Sequence, residues 1–143
     1  MQRDALAAIA VVMVMFIAAV AVILSVLSPQ PVQAAITTVT TDKDLYHSNE
    51  VMKITIAINA SPALPDNTTI RIEGIKDRFG KMRLSREMPA NITASQAIYT
   101  YDYKLPACSS CTGLTAGTYE INVTLNRNGA ILSAMNRSVE LKQ

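Results

Sequence analysis

Met52-Lys53-Ile54-Thr55-Ile56-Ala57-Ile58-Asn59 alternates apolar and polar or small residues without a break. In an extended chain successive side chains point to opposite faces, so Met52, Ile54, Ile56 and Ile58 form one apolar row backed by Lys53, Thr55, Ala57 and Asn59. This is the pattern of a half-buried strand, and no helical period fits it. The same reading applies at Tyr119, Ile121, Val123 and Leu125, set against Glu120, Asn122, Thr124 and Asn126. Asn128-Gly129 follows, the pair best able to take the positive φ angles of a two-residue hairpin turn. Residues 130–141 are therefore expected to return antiparallel with Met135, Val139 and Leu141 inward, and Arg137 breaks that row.

Residues 36–41, 69–75, 81–84 after Phe79-Gly80, and 97–105 with Tyr99, Tyr101, Tyr103 and Leu105 in register read as further strands. About seven short strands separated by polar turns, with no helical segment among them, predict an antiparallel β-sandwich. A parallel α/β sheet would need crossover helices, and the pattern has none.

Ahead of the strands, residues 5–27 form a run of 23 apolar or small residues without charge, Gly or Pro. As a helix it would extend about 35 Å, enough to cross a hydrocarbon core of roughly 30 Å. Two readings stand. The run is an uncleaved anchor, or it is a signal peptide cut between Ala34 and Ala35; signal h-regions usually span about 7 to 15 residues, which favours the anchor. Alanines at 7, 8, 18 and 21, with Phe16 between them, offer a surface on which helices could approach closely and oligomerise. Ser28-Pro29-Gln30-Pro31 ends the helix, because Pro lacks the donor N–H and pushes its predecessor out of the α region. The expected organisation is a hydrophobic helix over 1–28, a linker over 29–35 and an antiparallel sandwich over 36–143.

Lys and Arg number 13 and Asp and Glu 11, so there is no basic field for nucleic acid and no acidic tail. Four Asn-x-Ser/Thr sequons occur, at Asn67, Asn91, Asn122 and Asn136. Composition alone predicts about one, and the excess favours an extracytoplasmic chain carrying N-linked glycans. Asn67 and Asn91 fall in expected turns, and Asn122 and Asn136 on the outward faces of adjacent strands.

Cys108 and Cys111 are the two cysteines, in Cys108-Ser109-Ser110-Cys111. A redox Cys-x-x-Cys opens a helix in a βαβ unit, which this sequence lacks, and zinc would need ligands beyond the single distant His47. A local disulfide is favoured, with thiol-disulfide exchange and metal binding as the alternatives. Asp42, Asp44 and Glu50 lack the spacing of a calcium loop and read as a solvated turn. No phosphate loop or nucleophile elbow is present, so no enzyme class, resident metal or cofactor is expected.

Thr41-Asp42-Lys43-Asp44-Leu45-Tyr46-His47-Ser48-Asn49-Glu50-Val51 resembles the entry into the second strand of bacterial and archaeal immunoglobulin-like surface domains, with Asn49 where Gly is usual. Leu114, Gly117, Tyr119 and Ile121 match the "L-x-x-G-x-Y-x-V" entry into strand F of those domains. The resemblance implies an immunoglobulin-like fold and a structural role for Tyr46 and Tyr119. A hydrophobic N-terminal helix carrying such a head is similar in layout to archaeal pilins, archaellins and the membrane-anchored accessory proteins of the archaellum, although Pro29 and Pro31 interrupt what is commonly a continuous stalk. That likeness implies a cell-surface structural protein, a filament subunit that forms homo-oligomers through its helix and lies in the membrane before assembly. The alternative is a single-pass adhesion or stator module contacting the surface layer or another cell-surface protein; a third is an extracytoplasmic thiol-disulfide protein.

Overall fold

The computed structural model describes residues 33–61, 63–64, 67–93, 95–107 and 113–142. The expected helix, with Ala7, Ala8, Phe16, Ala18 and Ala21, lies outside the described residues, as do Cys108 and Cys111.

All described elements are strands: β1 (Gln33–Thr41), β2 (Leu45–His47), β3 (Val51–Ser61), β4 (Thr68–Lys76), β5 (Met82–Pro89), β6 (Gln96–Lys104), β7 (Gly117–Arg127) and β8 (Ala130–Lys142). They form two sheets, one in the order β1-β3-β6 and the other in the order β2-β8-β7-β4-β5. Every pairing is antiparallel except that of β2 with β8. In immunoglobulin lettering the sheets are A-B-E and A′-G-F-C-C′, the arrangement of an immunoglobulin-like sandwich with no strand D among the described residues. The expected count of seven becomes eight. The addition is β2, three residues whose partners Glu140, Leu141 and Lys142 lie at the far end of the chain.

The alternating rows behave as hydrophobic burial demands. Met52, Ile54, Ile56 and Ile58 of β3 are fully buried, and they face Ile121, Val123 and Leu125 of β7, also fully buried, across the sandwich. Each such side chain contributes roughly 1.5–3 kcal/mol when removed from water. Leu64 and Ile92, joined by a lone bridge outside the strands, close one end of the core.

Three local departures from alternation have identifiable causes. In β1 the pairing slips between Ile36 and Thr38, so an extra residue, Thr37, brings both Ile36 and Val39 to the core at a spacing of three. In β8 Leu132 is the extra residue, since Leu125 faces Ser133 and Asn126 faces Ile131. In β4 Ile75 takes a φ of 53°, which turns its side chain inward beside Gly74 where a regular strand would turn it out. A β-branched residue with positive φ is strained by about 1–3 kcal/mol, and full burial of the Ile75 side chain offsets the cost.

The hairpin reading holds. Asn128 and Gly129 have φ of 51° and 81° and join β7 to β8 directly, as a type I′ turn requires.

Candidate functional site

Three polar clusters brace the loops of the sandwich. At the entry to β3, the fully buried Tyr46 donates its hydroxyl to Asp42 Oδ1 at 2.7 Å and accepts from the Lys43 N–H at 3.0 Å. The same Asp42 oxygen accepts from the Lys53 N–H at 2.8 Å. These bonds, the Tyr46 hydroxyl first, hold the Asp42 carboxyl below the usual carboxylate range. Burial, helped by the neighbouring carboxylate, pushes the Tyr46 hydroxyl up to about 12. Asn49 turns the chain at a φ of 65°, the left-handed conformation that the Gly of the resembling domains would supply.

At the entry to β7, Tyr119 donates its hydroxyl to Thr115 O at 2.8 Å and accepts from the Thr115 N–H at 3.1 Å. This is the tyrosine corner of immunoglobulin-like domains.

Between β4 and β5, Asp77 is buried and gathers three donors. Its Oδ1 accepts from the N–H groups of Phe79 and Lys81, both at 2.9 Å, and its Oδ2 accepts from Arg83 Nε at 2.8 Å. Burial pushes the carboxyl up, and the two backbone donors with the guanidinium pull it down by more, so Asp77 titrates below the usual range. The turn holds Phe79 68% exposed with the Arg78 guanidinium 4.7 Å from its ring centre. Sequence reasoning passed over Asp77. Its only signal is an Asp two residues before an aromatic-Gly pair, which reads as an ordinary solvated turn.

The acidic residues near Tyr46 do not converge. Asp42 serves Tyr46 and Lys53, Asp44 pairs with Arg137, and Glu50 accepts from Lys43 Nζ at 3.3 Å and the His47 N–H at 3.0 Å. No group of three metal-ligating side chains occurs among the described residues. The Asp44 pair explains the break at Arg137: the arginine faces inward in register with Ile121, and its guanidinium reaches back to the segment before β2.

Asn67, Asn91 and Asn136 are exposed, and Asn122 is half-buried on the outward face of β7. Asn67 takes a φ of 54° in the turn before β4. Asn122 and Asn136 are directly opposite each other in the β7–β8 ladder. The structure thus brings two of the four sequons together and leaves Asn67 at the bend before β4 and Asn91 in the connection between β5 and β6.

No protein-family model and no curated protein matches the chain. Solved structures match at low identity. A cycloisomaltooligosaccharide glucanotransferase from Paenibacillus sp., complexed with cycloisomaltoheptaose, is similar with a TM-score of 0.57 and 13% identity over 78% of this chain and 15% of that one. The alkylpurine DNA glycosylase AlkC of Pseudomonas fluorescens, bound to DNA containing an abasic site analogue, is similar with a TM-score of 0.54 and 13% identity over 78% of this chain and 31% of that one. The CARDB domain of the PF1109 protein from Pyrococcus furiosus, in complex with di-metal ions, gives 0.44 and 14% identity over 78% and 88%. The chain spans less than a third of the two enzymes. The likeness to them is one of sandwich fold.

Proposed function

We propose that the chain is a non-enzymatic structural protein of the cell surface, a filament subunit whose apolar segment 5–27 lies in the membrane before assembly and in a helical core afterwards. Its immunoglobulin-like head faces outside and carries N-linked glycans at Asn67, Asn91, Asn122 and Asn136. The observation that carries this reading is the placement of the sequons: three of the four asparagines are exposed and the fourth sits on an outward sheet face, so each could carry a sugar without disturbing the core. An apolar run of 23 residues ahead of such a head supports retention at a membrane or in a bundle.

A second reading, a monomeric anchored module contacting the surface layer or another surface protein, draws support from the way parts of the sandwich edge are closed from within. The Ile36 N–H of β1 donates to Ser133 Oγ of β8 at 3.1 Å, and the Arg83 carbonyl of β5 accepts the Tyr103 hydroxyl at 2.8 Å. Mass analysis of the protein isolated from its own cells tests what both readings share. Both require residues 5–27 to be retained and at least one sequon to be occupied. A mature N-terminus at Ala35, or an unmodified chain, removes that basis. The state of Cys108 and Cys111 in the same spectrum, two hydrogens lighter as a disulfide, addresses the thiol-exchange alternative.

A further inference from the structure

We infer that β6 is a self-pairing edge: two copies of the chain join through antiparallel β6 strands centred on Thr100, making one continuous six-stranded sheet. This interface is separate from any contact through the N-terminal segment and does not depend on filament formation.

β6 ends the three-stranded sheet, with β3 on one side and no strand on the other among the described residues. In an antiparallel pair every second residue turns its N–H and C=O toward the partner strand. The Leu105 N–H donates to Glu50 O at 2.9 Å and the Ala60 N–H to Ser95 O at 3.0 Å. With the β3–β6 register, the odd-numbered residues of β6 therefore face β3, and Gln96, Ile98, Thr100, Asp102 and Lys104 turn their backbone groups to the open side. In constant-type immunoglobulin domains strand D pairs antiparallel at this place. Here no strand lies between β5 and β6 among the described residues.

Open edges are ordinarily blunted by Pro, bulges, inward charges or brevity. The other edges of this sandwich have such devices: β2 is three residues long, β5 ends in Pro89 with the Arg83 carbonyl occupied by Tyr103, and β1 is bulged at Thr37 and tied to Ser133. β6 has nine residues, no Pro and no bulge, and its one cation, Lys104, stands at its end. Ile98, at its middle, is 66% exposed.

The strand is also complementary to itself. An antiparallel two-fold through Thr100 sets Gln96 against Lys104, Ile98 against Asp102 and Thr100 against Thr100, so no like charges face each other. All five outward-turned residues of each copy then bond. On the core-facing side it sets Tyr99 against Tyr101, a cross-strand aromatic pair made twice. Tyr99 and Tyr103 already bond the carbonyls of Asn91 and Arg83, whereas the Tyr101 hydroxyl makes no hydrogen bond among the described residues. Because the interface is isologous, one contact covers both open edges and leaves none to recruit a third copy.

The test uses the full chain in mild detergent, with C108S and C111S removing the native thiols. Opposed residues of a hydrogen-bonded pair have Cα atoms about 5.5 Å apart, within reach of a disulfide. Thr100→Cys is expected to give a disulfide-linked dimer within minutes of mild copper-phenanthroline oxidation. Thr55→Cys, its neighbour on β3, should link at least tenfold more slowly. Without added cysteines, Ile98→Asp, which would set like charges against Asp102 of the other copy, and Thr100→Pro should each weaken dimerisation at least tenfold in sedimentation while keeping the strand circular dichroism signal, since both side chains are exposed and the Thr100 N–H faces away from β3. Equal cross-linking at 55 and 100, or full dimerisation in both edge variants, overturns the inference. Specific Thr100→Cys dimers from cells that show no filaments would leave this pairing standing and remove the filament reading alone.

Discussion

Replacing Gly74 by Ala tests how closely β4 and β7 approach. A Cβ built on Gly74 would lie 2.4 Å from Glu120 O and 2.9 Å from Ile121 Cα, both backbone atoms of the neighbouring strand. Neither can rotate away, so the strands must separate where Gly74 pairs with Ile121, in the middle of the five-stranded sheet. Overpacking of this kind costs about 3 kcal/mol, the upper end of its usual range, because backbone rather than side chain has to give. At about 4 °C per kcal/mol for a domain of this size, the midpoint should fall by roughly 12 °C. Gly129→Ala is the matched control. Its Cβ would meet nothing within 4 Å, and its penalty comes only from a φ of 81°, about 1 kcal/mol or roughly 4 °C. Thermal unfolding of the full chain in detergent, followed by circular dichroism at the strand band, measures both. If Gly74→Ala loses no more than Gly129→Ala, the close approach of β4 and β7 is wrong.

Tyr119→Phe should lower stability by about 1–2 kcal/mol in urea unfolding, since it removes both hydrogen bonds of the corner while keeping the ring; no loss would show that the corner does not brace the β7 entry. On the acid side, Asp42 and Asp77 titrate below their unfolded values, so their contribution is complete above the ordinary carboxylate value of 3.8 and is lost as the pH falls through the folded values. Asp77→Asn should therefore be less stable at neutral pH and show a shallower acid limb in a pH series of unfolding midpoints. On the alkaline side, Tyr46 is raised from 10.0 to about 12, so its contribution is complete below 10 and lost as the pH climbs toward 12. Tyr46→Phe should shrink that limb, and an unchanged alkaline limb would place the titration elsewhere.

The central strands were legible because burial on one face forces a period of two. Met52 to Ile58 and Tyr119 to Leu125 carry that period over four apolar positions each, and both rows are core except Tyr119, which packs partly buried against it. Asn49, Asn128 and Gly129 announced their positive φ by residue type, and Tyr119 announced its corner by its distance from Gly117. What escaped depends on partners remote in the chain. β2 is too short to show a pattern and exists through pairing with residues 140–142. β5 was expected over 81–84 and extends to Pro89, because pairing with Arg71, Ile72 and Glu73 makes a strand of the polar run Ser85-Arg86-Glu87. Arg137 looked like an error in an apolar row until Asp44, 93 positions earlier, supplied its counter-charge. Ile75 and Thr37 shift the alternation through backbone geometry that residue type does not encode. Among the functional expectations, the sequon positions were readable from turn and face assignments alone, and the placement of Asn122 opposite Asn136 required the register.

Immunogold labelling of intact cells that make this protein, with an antibody raised against the sandwich, separates a surface filament subunit from the other readings. For a filament subunit, gold is expected along extended surface fibres without permeabilisation. Gold spread evenly over the envelope with no fibres would replace the filament subunit by the anchored module, and gold appearing only after the cells are opened would contradict a surface role altogether.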